Sequence, residues 1–267
     1  MIIDAHIHCS GDEKVGDVLR TLDQAGVDKA VLLAPFLNGS YSLHERESLR
    51  LANQHLARLI TGNTDRLIGF AVINPALDEA CQDLCFAYEL GLPGLKMVPT
   101  GWYPYDDCAH RVYETASRLK IPILFHSGIF IDGKSGRFCH PTFYEAIRDY
   151  PDLRVALAHL GWPWTDEANA VGLIDLINGV SPDNSQYRFD ISFGAPPVYR
   201  LEVLRKAIAV LTSELLQFGS DVFLPCDGEL LKSRINDVAN LLAQLNVDKR
   251  DRERIMGGTA AVWLGVN

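Results

Sequence analysis

His6 and His8 sit two residues apart in the apolar opening stretch Met1-Ile2-Ile3-Asp4-Ala5-His6-Ile7-His8. Side chains on a strand alternate with a period of two, so both imidazoles point to the same side. Two neutral imidazoles held side by side at the end of a buried strand form half of a metal site. Further along, His126 closes the apolar run Ile123-Leu124-Phe125, and His159 closes Val155-Ala156-Leu157-Ala158. Asp221 ends Leu216-Gln217-Phe218-Gly219-Ser220, and Lys96 lies within Gly94-Leu95-Lys96-Met97-Val98. Taken singly, each has a plainer reading: a surface histidine pair, a helix-capping aspartate, a lysine paired with a structural carboxylate. Together they place imidazole nitrogens and a carboxylate at the same end of several strands. That donor set suits Zn²⁺, with Mn²⁺ or Fe²⁺ as alternatives, and three or four protein ligands plus a water describe a catalytic site.

The elements that must position these residues alternate along the chain. Continuous apolar runs such as Ala30-Val31-Leu32-Leu33-Ala34 and Leu67-Ile68-Gly69-Phe70-Ala71-Val72-Ile73 read as strands covered on both faces. Between them, Val15 to Ala25 carries Val15, Val18, Leu19 and Leu22 at helical spacing and stops at Gly26. A polar loop with Asn38, Gly39 and Ser40 precedes a helix from Ser42 to about Thr61. Further helices are expected near Asp78 to Leu90, Cys108 to Leu119, Pro141 to Tyr150, Glu167 to Asn178, Leu201 to Thr212 and Glu229 to Leu245. A short one near Lys249 to Ile255 ends the series. The pattern predicts eight strands in β/α units of ~30 residues each. An α/β fold, a single (β/α)8 TIM barrel spanning residues 1–267, fits best, with the metal site at the carboxyl-terminal ends of the strands. A doubly wound open sheet is the alternative, weakened because no Gly-x-Gly-x-x-Gly follows a strand.

Composition narrows the function classes. The chain has 267 residues, is 48% hydrophobic and carries a net charge of −9. An acidic chain without Lys/Arg runs is a poor candidate for nucleic acid or an anionic membrane surface. No apolar run reaches membrane-spanning length, and the first residues lack the basic region of a signal peptide. The six cysteines, Cys9, Cys81, Cys85, Cys108, Cys139 and Cys226, are scattered, which points to a reduced, cytoplasmic protein.

The constellation resembles a known family. Asp4-x-His6-x-His8, Gly94-Leu95-Lys96, His126, His159-Leu160-Gly161, Gly219-Ser220-Asp221 and Gly257-Gly258-Thr259-Ala260-Ala261 look like the amidohydrolase superfamily. More narrowly they resemble its amidohydrolase-2 branch, which includes aminocarboxymuconate-semialdehyde decarboxylase and related hydrolases. The resemblance implies that His6, His8, His126 and Asp221 bind one divalent metal, most often zinc, and that His159 positions the water or substrate beside it. In the mechanism expected from such a site, Asp221 acts as proton acceptor and donor, and His159 donates a hydrogen bond to the developing oxyanion or steers the water. In binuclear relatives a carboxylated lysine on strand four bridges two metals; the one-metal branch leaves Lys96 for the substrate or for outer support of the site. Two departures stand out: Val222-Phe223 follows Asp221 where the family often has Tyr/Phe-Pro, and Thr259 replaces an Asn.

For the substrate, Trp102, Tyr103, Trp162 and Trp164 lie just past strands four and six and could wall a pocket for a small organic molecule. Arg137 and Arg200 are candidates to grip a carboxylate. The expected reaction is hydrolysis of an amide, ester or lactone bond in a small acid. Nonoxidative decarboxylation with the same ligands is the rival, and a phosphoesterase barrel or a non-catalytic scaffold stands further off. The expected partner is a small-molecule substrate, with neither nucleic acid nor membrane, and barrels of this kind often form homodimers.

Overall fold

The computed structural model describes residues 1–37, 39–192 and 194–266, so Asn38 of the expected polar loop lies outside the described residues. Its centre is a curled parallel sheet of nine strands in the order β8-β7-β6-β5-β4-β3-β2-β1-β9. The strands are β1 (Ile3–His8), β2 (Lys29–Leu33), β3 (Leu67–Val72), β4 (Gly94–Met97), β5 (Ile123–Phe125), β6 (Val155–Leu157), β7 (Tyr187–Asp190), β8 (Leu216–Gln217) and β9 (Val222–Phe223). Helices α1 (Val15–Ala25), α2 (Arg46–Ile60), α3 (Ala80–Glu89), α4 (Asp107–Leu119), α5 (Thr165–Ile177), α6 (Pro197–Leu211) and α7 (Gly228–Gln244) follow the strands in turn. The shorter α8 (Lys249–Glu253) and α9 (Thr259–Leu264) finish the chain.

Helix α1 shows why these segments fold as they do. Val18, Thr21, Leu22 and Ala25 form its buried stripe, and Gly26 ends it at φ 76°, where a left-handed residue satisfies the last carbonyls. The segment expected to be helical at Pro141 to Tyr150 is instead a 3-10 helix over Pro141–Asp149. The final strand also differs from expectation. It is two short pieces, with Phe218 to Asp221 between them making irregular hydrogen bonds: Ala5 N–H donates to the Phe218 carbonyl (3.0 Å) and Asp221 N–H to the His6 carbonyl (2.8 Å). Thus β8 pairs with β7 while β9 pairs with β1.

Apolar side chains divide into two layers. An outer layer packs the strands against the helices, with Ile7, Leu32, Leu95 and Phe125 meeting Leu22, Leu56, Ala87 and Val112. An inner cluster gathers Ile3, Ala5, Val31, Leu33, Phe70, Leu124 and Ala156 around Ala260 and Trp263 of α9. The Trp263 ring lies 5.4 Å from that of Phe70. Gly257 lets this terminal segment approach: a Cβ there would stand 2.5 Å from the Met1 carbonyl oxygen.

Strand β1 changes phase along its length. Asp4 pairs with Ala30 and Ile7 with Leu32, so three steps on β1 face two on β2, which is a β-bulge. Before the bulge Ile3 and Ala5 join the inner cluster; after it Ile7 joins the outer one. The bulge is how one strand supplies both an inner apolar plug and, directly above it, two inward histidines. The Asp4 carboxylate supports it by accepting the His6 N–H (3.1 Å) and the Ser220 N–H (2.9 Å).

Candidate metal centre and its cavity

His6 is fully buried, and its Nδ1 lies 2.6 Å from the Asp190 carboxylate. An ionised carboxylate only accepts, so Nδ1 carries the ring proton and Nε2 is a lone pair. That Nε2 faces His8 Nε2 at 3.2 Å and Asp221 Oδ1 at 3.3 Å, and His8 Nε2 is 3.1 Å from the same oxygen. Among the described residues these three side chains form a group whose ligand atoms all lie within 4.8 Å of one another. Two imidazole nitrogens and a carboxylate converging in a buried space fit a first-row divalent cation, and the Asp190 bond to His6 is the outer support such ligands usually have.

Asp221 reaches this point by an unusual backbone, with φ 57°, held by its own N–H to the His6 carbonyl. Short polar residues tolerate that region better than branched ones. His126 stands apart from the three-residue group. Its Nε2 donates to the Ile129 carbonyl at 2.8 Å, which leaves the lone pair on Nδ1, and its ring centroid is 5.0 Å from that of His159. His159, at φ 60°, has its ring centroid 5.4 Å from that of His6 and its Nδ1 2.9 Å from Ser192 Oγ. Lys96 is 1% exposed, with Nζ 3.4 Å from His6 Nε2.

Burial dominates the electrostatics. It holds His6 and His126 well below the usual histidine range, with Lys96 and His159, respectively, adding to the effect. Burial likewise lowers His8, and brings His159 down to about 4. All four imidazoles are therefore neutral at pH 7, the form that binds metal. Burial pushes Asp190 up to about 6 and Lys96 down to about 8. Burial would raise Asp221 as well, but His6, His159 and the hydrogen bond with His8 outweigh it and hold the carboxyl well below its ordinary range.

A cavity of about 270 Å³ opens over the centre. His8, Lys96, His126, His159 and Asp221 line its polar side. Phe36, Phe130, Trp162, Phe223, Ile129 and Ile131 supply the apolar walls, and Phe223 stacks on His8 with centroids 4.5 Å apart. Of the aromatic residues expected there, Trp162 is in the wall. Trp102 is buried in the core, Tyr103 stacks on Tyr105, and Trp164 packs against His140. Arg137 is also outside the lining: its guanidinium lies over the Phe138 ring at 4.8 Å, a cation–π contact. Arg200 borders a separate small cavity behind His159. The residues that sequence reasoning passed over are Asp190 and Ser192. Their signal was present, because Asp190-x-Ser192 repeats the two-residue spacing of His6-x-His8 at the end of β7.

This fold and donor set define an α/β enzyme of the kind that works with a bound metal. The chain belongs to the amidohydrolase family, in the amidohydrolase-2 branch, whose model matches residues 3–266. Among solved structures, 2,6-dihydroxybenzoate decarboxylase from Rhizobium is similar, with 15% identity, a TM-score of 0.69, and 99% of this chain and 98% of that one covered. So is 5-carboxyvanillate decarboxylase from Novosphingobium aromaticivorans, complexed with manganese and 4-hydroxy-3-methoxy-5-nitrobenzoic acid (14% identity, TM-score 0.71, 100% and 96% covered). A third is a probable 2-pyrone-4,6-dicarboxylic acid hydrolase from Acinetobacter baumannii with citric acid bound (17% identity, TM-score 0.66, 99% of both chains covered). Comparison with curated protein sequences gave no match. Among the described residues, no helix is long and apolar enough to cross a membrane.

Proposed function

We propose that this enzyme hydrolyses an amide, ester or lactone bond in a small carboxylate-bearing molecule, using a divalent metal held by His6, His8, His126 and Asp221. The observation that carries the reading is the convergence of His6 Nε2, His8 Nε2 and Asp221 Oδ1 within 3.3 Å of each other beside the cavity. The hydrogen bonds from Ala5 and Asp221 across to the opposite strand support closure of the sheet into a (β/α)8 barrel, with β8 and β9 acting as one interrupted eighth strand. A bound metal supplies Lewis acidity, lowering the pKa of a coordinated water toward ~7. Zinc is our first choice for this donor set, and manganese the second, supported by the manganese found with the similar decarboxylase.

The chain's own groups then divide the work. The Asp221 carboxylate, ionised and beside the ligand nitrogens, takes the proton of the attacking water and passes it to the leaving group. His159, neutral and in the cavity wall, steers that water. Lys96 provides a cation for a substrate carboxylate, and Trp162 and Phe223 enclose a flat apolar body. Six free cysteines accord with a reducing, cytoplasmic setting.

A second reading keeps the site and changes the reaction to nonoxidative decarboxylation. The apolar and aromatic walls favour it, because they suit an aromatic acid as well as a lactone. A panel of lactones, esters and amides assayed beside aromatic carboxylic acids, with carbon dioxide release recorded, tests both. Turnover of the first group without carbon dioxide supports hydrolysis; carbon dioxide from the second group replaces it with decarboxylation.

A further inference from the structure

A continuous chain of hydrogen bonds runs from the proposed metal ligand His6 to His159. His6 Nδ1 meets Asp190 Oδ2 at 2.6 Å, Ser192 Oγ meets the same oxygen at 2.8 Å, and His159 Nδ1 lies 2.9 Å from Ser192 Oγ. The Ser192 N–H fixes the other carboxylate oxygen, Asp190 Oδ1, at 2.6 Å. All of these atoms belong to buried residues or to the cavity wall, so water does not offer substitute partners to Asp190.

Proton counting gives this chain one direction. Ser192 has one hydroxyl proton and three neighbours: Asp190 Oδ2, His159 Nδ1 and, at 3.5 Å, His6 Nδ1, whose own proton is already given to Asp190. If that proton pointed to His159, Ser192 Oγ and the Asp190 carboxylate would face each other with lone pairs alone at 2.8 Å. With the Ser192 hydroxyl proton directed to the Asp190 carboxylate, Ser192 Oγ accepts from His159 Nδ1–H and every contact is satisfied. We infer that Ser192, oriented by Asp190, is a positioning residue that fixes the tautomer of His159 with the proton on Nδ1 and a lone pair on Nε2. His159 is thereby a proton acceptor toward the cavity, which selects the water-steering role over oxyanion donation. The role in turnover rests on the metal-dependent reading above; the tautomer does not.

Ser192, Ile191 and Ala195 border the small cavity of about 30 Å³ behind His159. Ser192→Thr keeps the hydroxyl, while Ser192→Ala removes it.

Nitrogen-15 NMR of histidine-labelled, zinc-supplemented full-length protein reads the tautomer directly, with the His159 signals assigned by their absence in His159→Gln. The expected result is a protonated Nδ1 and bare Nε2 in the wild type, a shift toward protonated Nε2 in Ser192→Ala, and restoration in Ser192→Thr. Once a substrate is in hand, Ser192→Ala lowers kcat by about 10²-fold with KM within about twofold, in line with loss of a correctly set acid–base group, and Ser192→Thr recovers it. A wild-type His159 protonated at Nε2, or a tautomer unmoved in Ser192→Ala, overturns the inference. Neither outcome touches the metal centre, and failure to find a substrate leaves the NMR result decisive.

Discussion

The Nδ1 of His6 and the Oδ2 of Asp190 are 2.6 Å apart, both on fully buried side chains 184 residues apart in the sequence. This one bond fixes which nitrogen of His6 faces His8 and Asp221. In Asp190→Asn the charge is lost and an amide can present either a donor or an acceptor to His6. Metal affinity should fall by about 10–100-fold, the usual cost of removing such support, while the circular dichroism spectrum is retained. Competition titration with a chromophoric chelator measures it; unchanged affinity would mean that the bond does not orient a ligand.

Asp221 combines a left-handed backbone with the proposed proton-transfer role, and this makes a clean substitution available. Asparagine tolerates φ near the observed 57°, so Asp221→Asn should fold normally. Its turnover should fall by about 10³-fold or more, because an amide neither takes nor returns a proton. Full activity in the folded variant contradicts the mechanism.

Loop residues after β1 offer a test that does not need a substrate. Glu13 accepts hydrogen bonds from Ser10 Oγ (2.9 Å), Gly11 N–H (3.0 Å) and His55 Nε2 (3.1 Å). Burial pushes its carboxyl up, but the hydrogen bonds from His55 and Ser10 outweigh it and hold the pKa below 4.5. A carboxyl depressed on folding stabilises the protein above its unfolded pKa, and the contribution is lost as pH falls through the folded value. Glu13→Gln should therefore cost about 1.5–3 kcal/mol at pH 7, the range for hydrogen bonds to a charged group. The difference from wild type should shrink below about pH 4. Urea unfolding at several pH values checks this, and a gap that widens on acidification refutes it.

Phe223 is 47% exposed, yet it stacks on His8 and forms part of the cavity wall. Its ring borders the cavity more than the core. Phe223→Ala should raise KM about five- to tenfold with little change in kcat, corresponding to about 1 kcal/mol of ring contact. Steady-state kinetics on whichever acid the panel identifies decides the matter, and a kcat effect alone would place the ring in the chemistry.

Much of the framework was legible because apolar runs and helical spacing report burial directly. The alternation of strands and helices followed from segments such as Ala30 to Ala34 and Val15 to Ala25. The inward pairing of His6 and His8 followed from the strand period alone. The bulge in β1 did not, since it depends on the register with β2 and on Asp4 holding the amides of His6 and Ser220. The interruption between β8 and β9 was hidden for a similar reason: Gly219 and Ser220 gave no sign that Asp221 would turn to a positive φ. That Arg137 lies over Phe138, outside the cavity lining, was not legible, because residue type does not say which contact an arginine makes. The Asp190-x-Ser192 spacing was visible, but the purpose of the serine shows only through its neighbours, Asp190 and His159.

The most direct test of the metal centre is elemental analysis of the purified chain with activity measured before and after chelation. About one divalent ion per chain is expected. Activity should be lost with the ion and restored by zinc or manganese, and the ion should be absent from a folded variant in which both His6 and His8 are replaced by Ala. A chain that binds no metal and keeps its activity through chelation would contradict the centre, and about two ions per chain would return Lys96 to the bridging role of the binuclear relatives.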